Sequence, residues 1–177
     1  MPTRSAGHEC RFLGTGESGL WIRGGEGNPL PEVREILDPI AKADIILGTA
    51  HLSPEEIVLL VREGRRKGLR KILVNHSEIE LVDLSESLQK ELSGPGVYFE
   101  RCYARRGFPL DWDGLARATR EVGLHSTVLA TDLGQPANPD PVQGLAQMRH
   151  EFAARGFTEA EPSLMPCESP ALLLRLA

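Results

Sequence analysis

The chain has 177 residues, 41% hydrophobic residues and a formal net charge of −5, enough apolar content for one sizeable core. This mildly acidic balance argues against a nucleic-acid partner, and no apolar stretch is long enough to cross a bilayer or resembles a signal peptide. Three widely spaced cysteines without a CxxC pair predict free thiols that act as packing residues in a reducing compartment, so we expect a cytoplasmic protein without a membrane partner.

The amino-terminal residues 1–19 are rich in glycine, serine, threonine and charge, and they predict a loose segment with a short strand at Arg11–Leu13. The predicted domain covers residues 20–177. It begins with a weak apolar run at Leu20–Ile22. A helix is then expected from Pro31, with a kink or an early end at Pro39.

The rest of the chain alternates short apolar runs with helical patterns, which predicts βαβ units and a parallel sheet. A capped helix start is expected at Ser53–Glu56, and another helix should begin near Ser85. Strands are expected at residues 44–49, 71–75, 97–100 and 127–131, and later helices at 110–122, 141–155 and from 169. Because an eight-stranded barrel typically needs about 250 residues, the fold class is α/β, with parallel βα units in an incomplete TIM-type (β/α) barrel. An open α/β sheet and a piece of a longer protein remain alternatives.

Three chemically capable residues each follow a predicted strand: His51, His76 and Asp132. Since parallel strands end at the same edge, these side chains should share one rim. Two imidazoles and a carboxylate suit zinc, manganese or iron, which make water nucleophilic near neutral pH. Taken singly, each residue is more commonly a loop residue or a turn cap. Their common placement favours a metal site.

The chain reads GTAHLSPEE at residues 48–56, KILVNH at 71–76 and TDLGQ at 131–135. These segments resemble an uncharacterised branch of metal-dependent hydrolases in the amidohydrolase superfamily. Gly48–Glu56 (GTAHLSPEE) resembles its TGHLSxEE segment, and Thr131–Gln135 (TDLGQ) resembles its TDLGQ segment. Lys71–His76 resembles the branch's next strand, and Ser169–Leu173 resembles its closing NPAxLL segment. The resemblance covers residues 20–177.

This resemblance implies that His51 and His76 bind a divalent metal from the fifth and sixth barrel strands. Asp132, after the eighth strand, would bind the metal and handle the proton of the attacking water. Glu100, at the end of the seventh, and Gln135 would contact a small-molecule substrate, although Glu100 also suits a structural role as a loop cap. Zinc is the expected cofactor, with manganese or iron as alternatives.

The chain also departs from the superfamily pattern. It has no HxH pair, and His8-Glu9-Cys10 is a poor substitute. The amino-terminal half of the barrel is therefore expected to be missing, so the site holds one metal at most. The open sheet edges predict a homo-oligomer.

The sequence thus predicts a metal-dependent hydrolase that acts on an amide, ester or lactone-like bond. The alternative is a non-catalytic or truncated half-barrel that serves as a binding or oligomerising module. A phosphate-binding loop at Gly14–Gly19 is disfavoured, because no strong strand precedes it and no helix directly follows.

Overall fold

The computed structural model describes residues 1, 3, 6–25, 27–103, 110–158 and 160–176. Its strands are β1 (Leu47–Gly48), β2 (Ile72–Val74), β3 (Val97–Cys102) and β4 (Thr127–Ala130). Its helices are α1 (Gly7–Leu13), α2 (Pro31–Ala43), α3 (Pro54–Arg66), α4 (Glu86–Leu92), α5 (Trp112–Val122), α6 (Pro141–Ala154), α7 (Glu161–Ser163) and α8 (Ser169–Leu174). The described residues also include a 3-10 turn at Leu124–Ser126 and a π-helical turn at Leu164–Glu168.

The strands form one parallel sheet in the order β1-β2-β3-β4, which confirms the predicted α/β class with parallel βα units. In the described part of the chain, β1 and β4 each pair on one side only, so the sheet is open and corresponds to part of a barrel. Because consecutive strands are neighbours and such crossovers share one hand, the connecting helices pack on the same face. On that face, Phe99 of β3 lies in one buried cluster with helix residues such as Leu60 and Leu92.

Local sequence accounts for the helix boundaries. The Ser53 hydroxyl accepts a hydrogen bond from the Glu56 amide at 3.3 Å, and the Glu56 carboxylate accepts one from the Ser53 amide at 3.3 Å. This is the predicted capping box. The predicted Ser85 cap is also present, since its hydroxyl accepts from the Leu88 amide. Helix α2 continues through Pro39 to Ala43.

The amino-terminal region differs from the sequence-based expectation. The strand predicted at Arg11–Leu13 is wrong, because these residues end α1, whose Glu9 and Cys10 are buried. The left-handed Gly14 (φ 63°) terminates this helix. The apolar run at Leu20 forms only an isolated parallel bridge with Ala6 and does not add a strand to the sheet. A strand needs a neighbouring strand to bond its backbone amides and carbonyls. The segment at Leu20 does not pair with β1, so it lies outside the sheet.

The two chain ends contact opposite ends of the strands, α1 at the carboxyl ends and Arg175 at the amino end of β1. Helix α1 contacts the loops that follow β1 and β2 through Glu9 and His8. Arg175, directly after α8, forms an ion pair with Asp44, which precedes β1. Within the described residues, no helix is both long and apolar enough to span a membrane.

Candidate metal centre

The carboxyl ends of the strands turn sharply where the candidate residues lie. His76 follows β2 and Asp132 follows β4, and both have a left-handed backbone, with φ of 52° and 53°. Ala50, which precedes His51 after β1, has φ 53°. Left-handed backbone is uncommon for residues other than glycine and is found often at functional sites. Three strand ends therefore leave the sheet in the same strained way at one edge.

The centre of the site is formed by His76 and the last residues of β3. The His76 Nδ1 lies 3.1 Å from the Cys102 Sγ and 3.5 Å from the Glu100 Oε2. One donor atom from each of these three residues lies within 4.8 Å of the other two. Glu100 and Cys102 face the same side because side chains alternate along a strand. This group could hold a metal ion.

His51 extends this group from the neighbouring loop. Its ring centroid is 5.3 Å from that of His76, and the ring planes are inclined by 56°. Two imidazoles bound at about 2.1 Å to one tetrahedral zinc ion would have their ring centroids about 5 Å apart. The Nδ1 of His51 lies 2.5 Å from the Glu9 Oε2, which leaves Nε2 as the nitrogen for an ion. The separation of the two rings is compatible with a shared metal, but His51 lies outside the group of three residues whose donor atoms are within 4.8 Å of one another.

Electrostatics distinguish a metal site from a nucleophilic cysteine. Burial raises the pKa of the Cys102 thiol well above its ordinary value, and the negative charges of Glu100 and Asp132 raise it further. A nucleophilic cysteine needs the opposite, a lowered pKa beside positive charge. A bound cation would instead compensate these carboxylates and deprotonate a coordinating thiol. The charges around Cys102 therefore argue against a cysteine nucleophile and are compatible with a bound cation.

Asn75, between β2 and His76, holds the parts of the site together. Its Nδ2 donates to the Glu100 Oε2 at 3.0 Å, and its Oδ1 accepts from the Ala50 amide at 3.0 Å. A Cβ at Gly48 would lie only 2.9 Å from this Oδ1, so a larger residue there would displace the Asn75 carboxamide. The side-chain amide of Asn75 thus links Glu100 to the loop that carries His51.

The residues predicted from the sequence lie at the same edge but not all in one cluster. His51 and His76 are neighbours, and Glu100 belongs to the donor group. Asp132 is exposed and outside that group, although its charge affects the Cys102 thiol. Gln135 is also exposed, and its side chain accepts a hydrogen bond from Asn138.

Two residues of the site were missed by sequence reasoning. Cys102 was predicted to be a packing residue, yet the spacing Glu100-x-Cys102 at a strand end places both side chains on one face. Glu9 was set aside as part of a poor substitute for HxH. Its contact with His51 joins residues 42 positions apart, and no local pattern signals such a contact.

The fold and this site define an α/β protein with an open parallel sheet and a candidate metal centre at its carboxyl edge. A family model described as a family of unknown function, DUF6282, matches residues 1–100, and the chain belongs to this family. The match crosses the boundary predicted between residues 19 and 20. It includes Glu9, His51, His76 and Glu100 but ends before Cys102 and Asp132. No curated protein and no solved structure matches the chain.

Proposed function

We propose that this protein is a metal-dependent hydrolase of the amidohydrolase type. The observation that carries the proposal is the convergence of donor atoms from His76, Glu100 and Cys102 within 4.8 Å at the carboxyl edge of a parallel sheet. Ligands and catalytic residues of parallel α/β folds are found at this edge. The resemblance of Gly48–Glu56 and Thr131–Gln135 to superfamily segments supports the same assignment.

The donor set indicates which metal fits. The donor group itself offers one nitrogen from His76, one sulfur from Cys102 and the Glu100 carboxylate, and His51, outside this group, would add a second nitrogen through Nε2. Nitrogen and sulfur ligands suit zinc, whereas manganese prefers oxygen, so zinc is favoured over manganese or iron. When bound, such an ion supplies Lewis acidity and makes water nucleophilic near neutral pH.

The remaining residues would act on the water and the substrate. Asp132 is an exposed carboxylate at the same edge, and we assign it the proton of the attacking water. Gln135, three positions further along, can orient the polar group of a small amide, ester or lactone through its carboxamide. The nearby exposed surface leaves both side chains accessible to a small molecule.

A second candidate is a binding or oligomerising module without turnover. It is favoured by the open sheet, since β1 and β4 each have one unpaired side in the described part of the chain, and by Ile45, which is 55% exposed beside β1. Open edges are commonly covered by another chain. Light scattering of the purified protein would give a homo-oligomer if this edge is used, and a monomer would remove this support.

Hydrolysis by the zinc-loaded protein tests the proposed function. The substrates are chromogenic esters, anilides and small lactones, measured with and without chelator. Asp132→Asn should retain zinc and lose most turnover, whereas His76→Ala should lose both. Asp140→Asn is the matched control, because asparagine caps a helix as well as aspartate does and Asp140 caps α6.

If wild type binds zinc and hydrolyses none of these substrates, the proposal is overturned in favour of the binding module. Turnover by Asp132→Asn at the wild-type rate would remove Asp132 from the mechanism.

A further inference from the structure

Glu9 is a buried carboxylate that contacts a residue of the candidate site. Its side chain is 3% exposed, and its Oε2 lies 2.5 Å from the Nδ1 of His51. A buried carboxylate is costly unless hydrogen bonds compensate its charge. The contact with His51 is therefore one of the interactions that compensate the burial of Glu9.

The position of Glu9 is set by the close packing of α1. The Gly7 amide donates to the Leu20 carbonyl at 2.7 Å, and a Cβ at Gly7 would collide with the Trp21 ring at 2.1 Å. On the other side of α1, the His8 Nε2 lies 2.5 Å from the Leu81 carbonyl oxygen. Two separate loops thus hold α1 at the carboxyl edge and deliver Glu9 to His51.

We propose that Glu9 is a positioning residue that fixes the ring and the tautomer of His51. A carboxylate oxygen can only accept, so His51 donates from Nδ1 and keeps the lone pair of Nε2 for a metal. Carboxylate partners of this kind orient metal-binding histidines, and their loss typically weakens metal affinity about 10–100-fold. The consequence for metal binding rests on the function proposed above, whereas the control of the tautomer does not.

Glu56 provides a matched control within the same chain. It is also a buried glutamate, but its carboxylate accepts hydrogen bonds from the amides of Ile22 at 2.8 Å and Ser53 at 3.3 Å. The Ser53 hydroxyl lies 3.2 Å from the same carboxylate, and none of these partners is a candidate ligand, so Glu56 stabilises the fold without touching the site. Glu56→Gln therefore reports what a merely structural loss would do.

The test combines nitrogen-15 NMR of the His51 ring in metal-free protein with zinc affinity from chelator competition. Wild type should show the tautomer protonated on Nδ1. Glu9→Gln should show a mixture of tautomers, because a carboxamide can both donate and accept, and about 10–100-fold weaker zinc binding. Glu9→Asp should recover part of the lost affinity. Glu56→Gln should keep the wild-type tautomer and zinc affinity, although it lowers stability.

An unchanged His51 tautomer in Glu9→Gln would overturn the proposal. Equal losses of zinc affinity in Glu9→Gln and Glu56→Gln would also overturn it, because the effect would then be structural. If wild type binds no zinc while Glu9→Gln still changes the tautomer, the proposed hydrolase fails and the positioning role stands.

Discussion

The two sides of strand β3 carry polar clusters of opposite character. Arg101 points to the helix-covered side, whereas Glu100 and Cys102, directly before and after it, point to the other side. All three residues are at the same end of one strand, so backbone position does not distinguish them. The difference lies in how each cluster balances its charge.

The cluster around Arg101 contains its own counter-charge. Arg101 is 0% exposed, and its Nη1 contacts the Glu78 carboxylate and donates to the Gln89 Oε1 at 3.0 Å. Burial lowers the pKa of Arg101 and raises that of Glu78, while the attraction between the two charges opposes both changes. This pair is a structural unit.

The cluster around Cys102 lacks a matching cation. Glu100 and Asp132 place negative charge near a buried thiol, and no cation among the described residues contributes to the pKa of that thiol. Within the same described residues, the positive charges that can reach this end of the sheet are those of His51 and His76, if protonated, and the amino terminus of Met1, which lies 3.4 Å from the Gly48 carbonyl oxygen. Such an arrangement is costly for folding alone. Neighbouring residues of one strand thus differ by face: Arg101 pairs with a carboxylate on one side, whereas Glu100 and Cys102 belong to a group on the other side that could hold a metal ion.

The largest expected effect comes from removing the ion pair between Arg101 and Glu78. Arg101→Met should lower the free energy of unfolding by about 3 kcal/mol, the lower end of the range for a broken buried pair, because Glu78 loses its counter-charge but is 22% exposed to solvent. Urea denaturation measures this change. The double variant with Glu78→Gln should recover part of the loss, and a single-variant loss below about 1 kcal/mol would contradict the contrast between the two faces.

On the other face, His76→Ala should act on metal binding more than on folding. We expect zinc affinity to fall by about 100-fold or more, which corresponds to about 2.7 kcal/mol of binding free energy. The stability of the metal-free protein should change little. His125→Ala is the control, since His125 is exposed in the turn before β4. Chelator competition that gives equal affinities for both variants would exclude His76 as a ligand.

A third variant sharpens the role of the thiol. Cobalt-substituted wild type should show a thiolate-to-cobalt charge-transfer band in the near ultraviolet, and Cys102→Ser should abolish it. Cys167→Ser should keep the band, because Cys167 is exposed and outside the donor group. Without metal, the free energy of unfolding of Cys102→Ser should differ from that of wild type by about 1 kcal/mol or less. The serine side chain is only slightly smaller than cysteine and faces the same carboxylates. Persistence of the band in Cys102→Ser would remove the cysteine from the site.

The smallest effect is expected at the helix cap of α3, a local hydrogen bond away from the donor group that provides a reference for the larger changes. Ser53→Ala removes the hydroxyl half of the capping box and should cost about 1 kcal/mol in urea denaturation. Zinc affinity should stay at the wild-type value, since the cap of α3 does not contact the donor group. Equal stability of the two proteins would mean that the cap contributes nothing.

Helix starts and strand positions could be predicted from the sequence because they depend on residues that are close together in the chain. Ser53 with Glu56, and Ser85 with Leu88, mark helix starts by local hydrogen bonds, and buried apolar runs mark the parallel strands. Strands β1, β2 and β4 are shorter than predicted, whereas β3 extends two residues further, to Cys102, because pairing rather than apolar composition sets strand ends. The contact of Glu9 with His51 and the place of Cys102 beside His76 depend on tertiary packing, which short-range patterns do not encode.

X-ray absorption at the zinc edge of the zinc-loaded protein tests the central claim most directly. The account predicts one tightly bound zinc per chain with one sulfur at about 2.3 Å and nitrogen or oxygen ligands at about 2.0–2.1 Å. His76→Ala and Cys102→Ser should each lose this spectrum. A wild-type protein that binds no zinc, or a bound zinc without a sulfur ligand, would contradict the metal centre described at the carboxyl edge of the sheet.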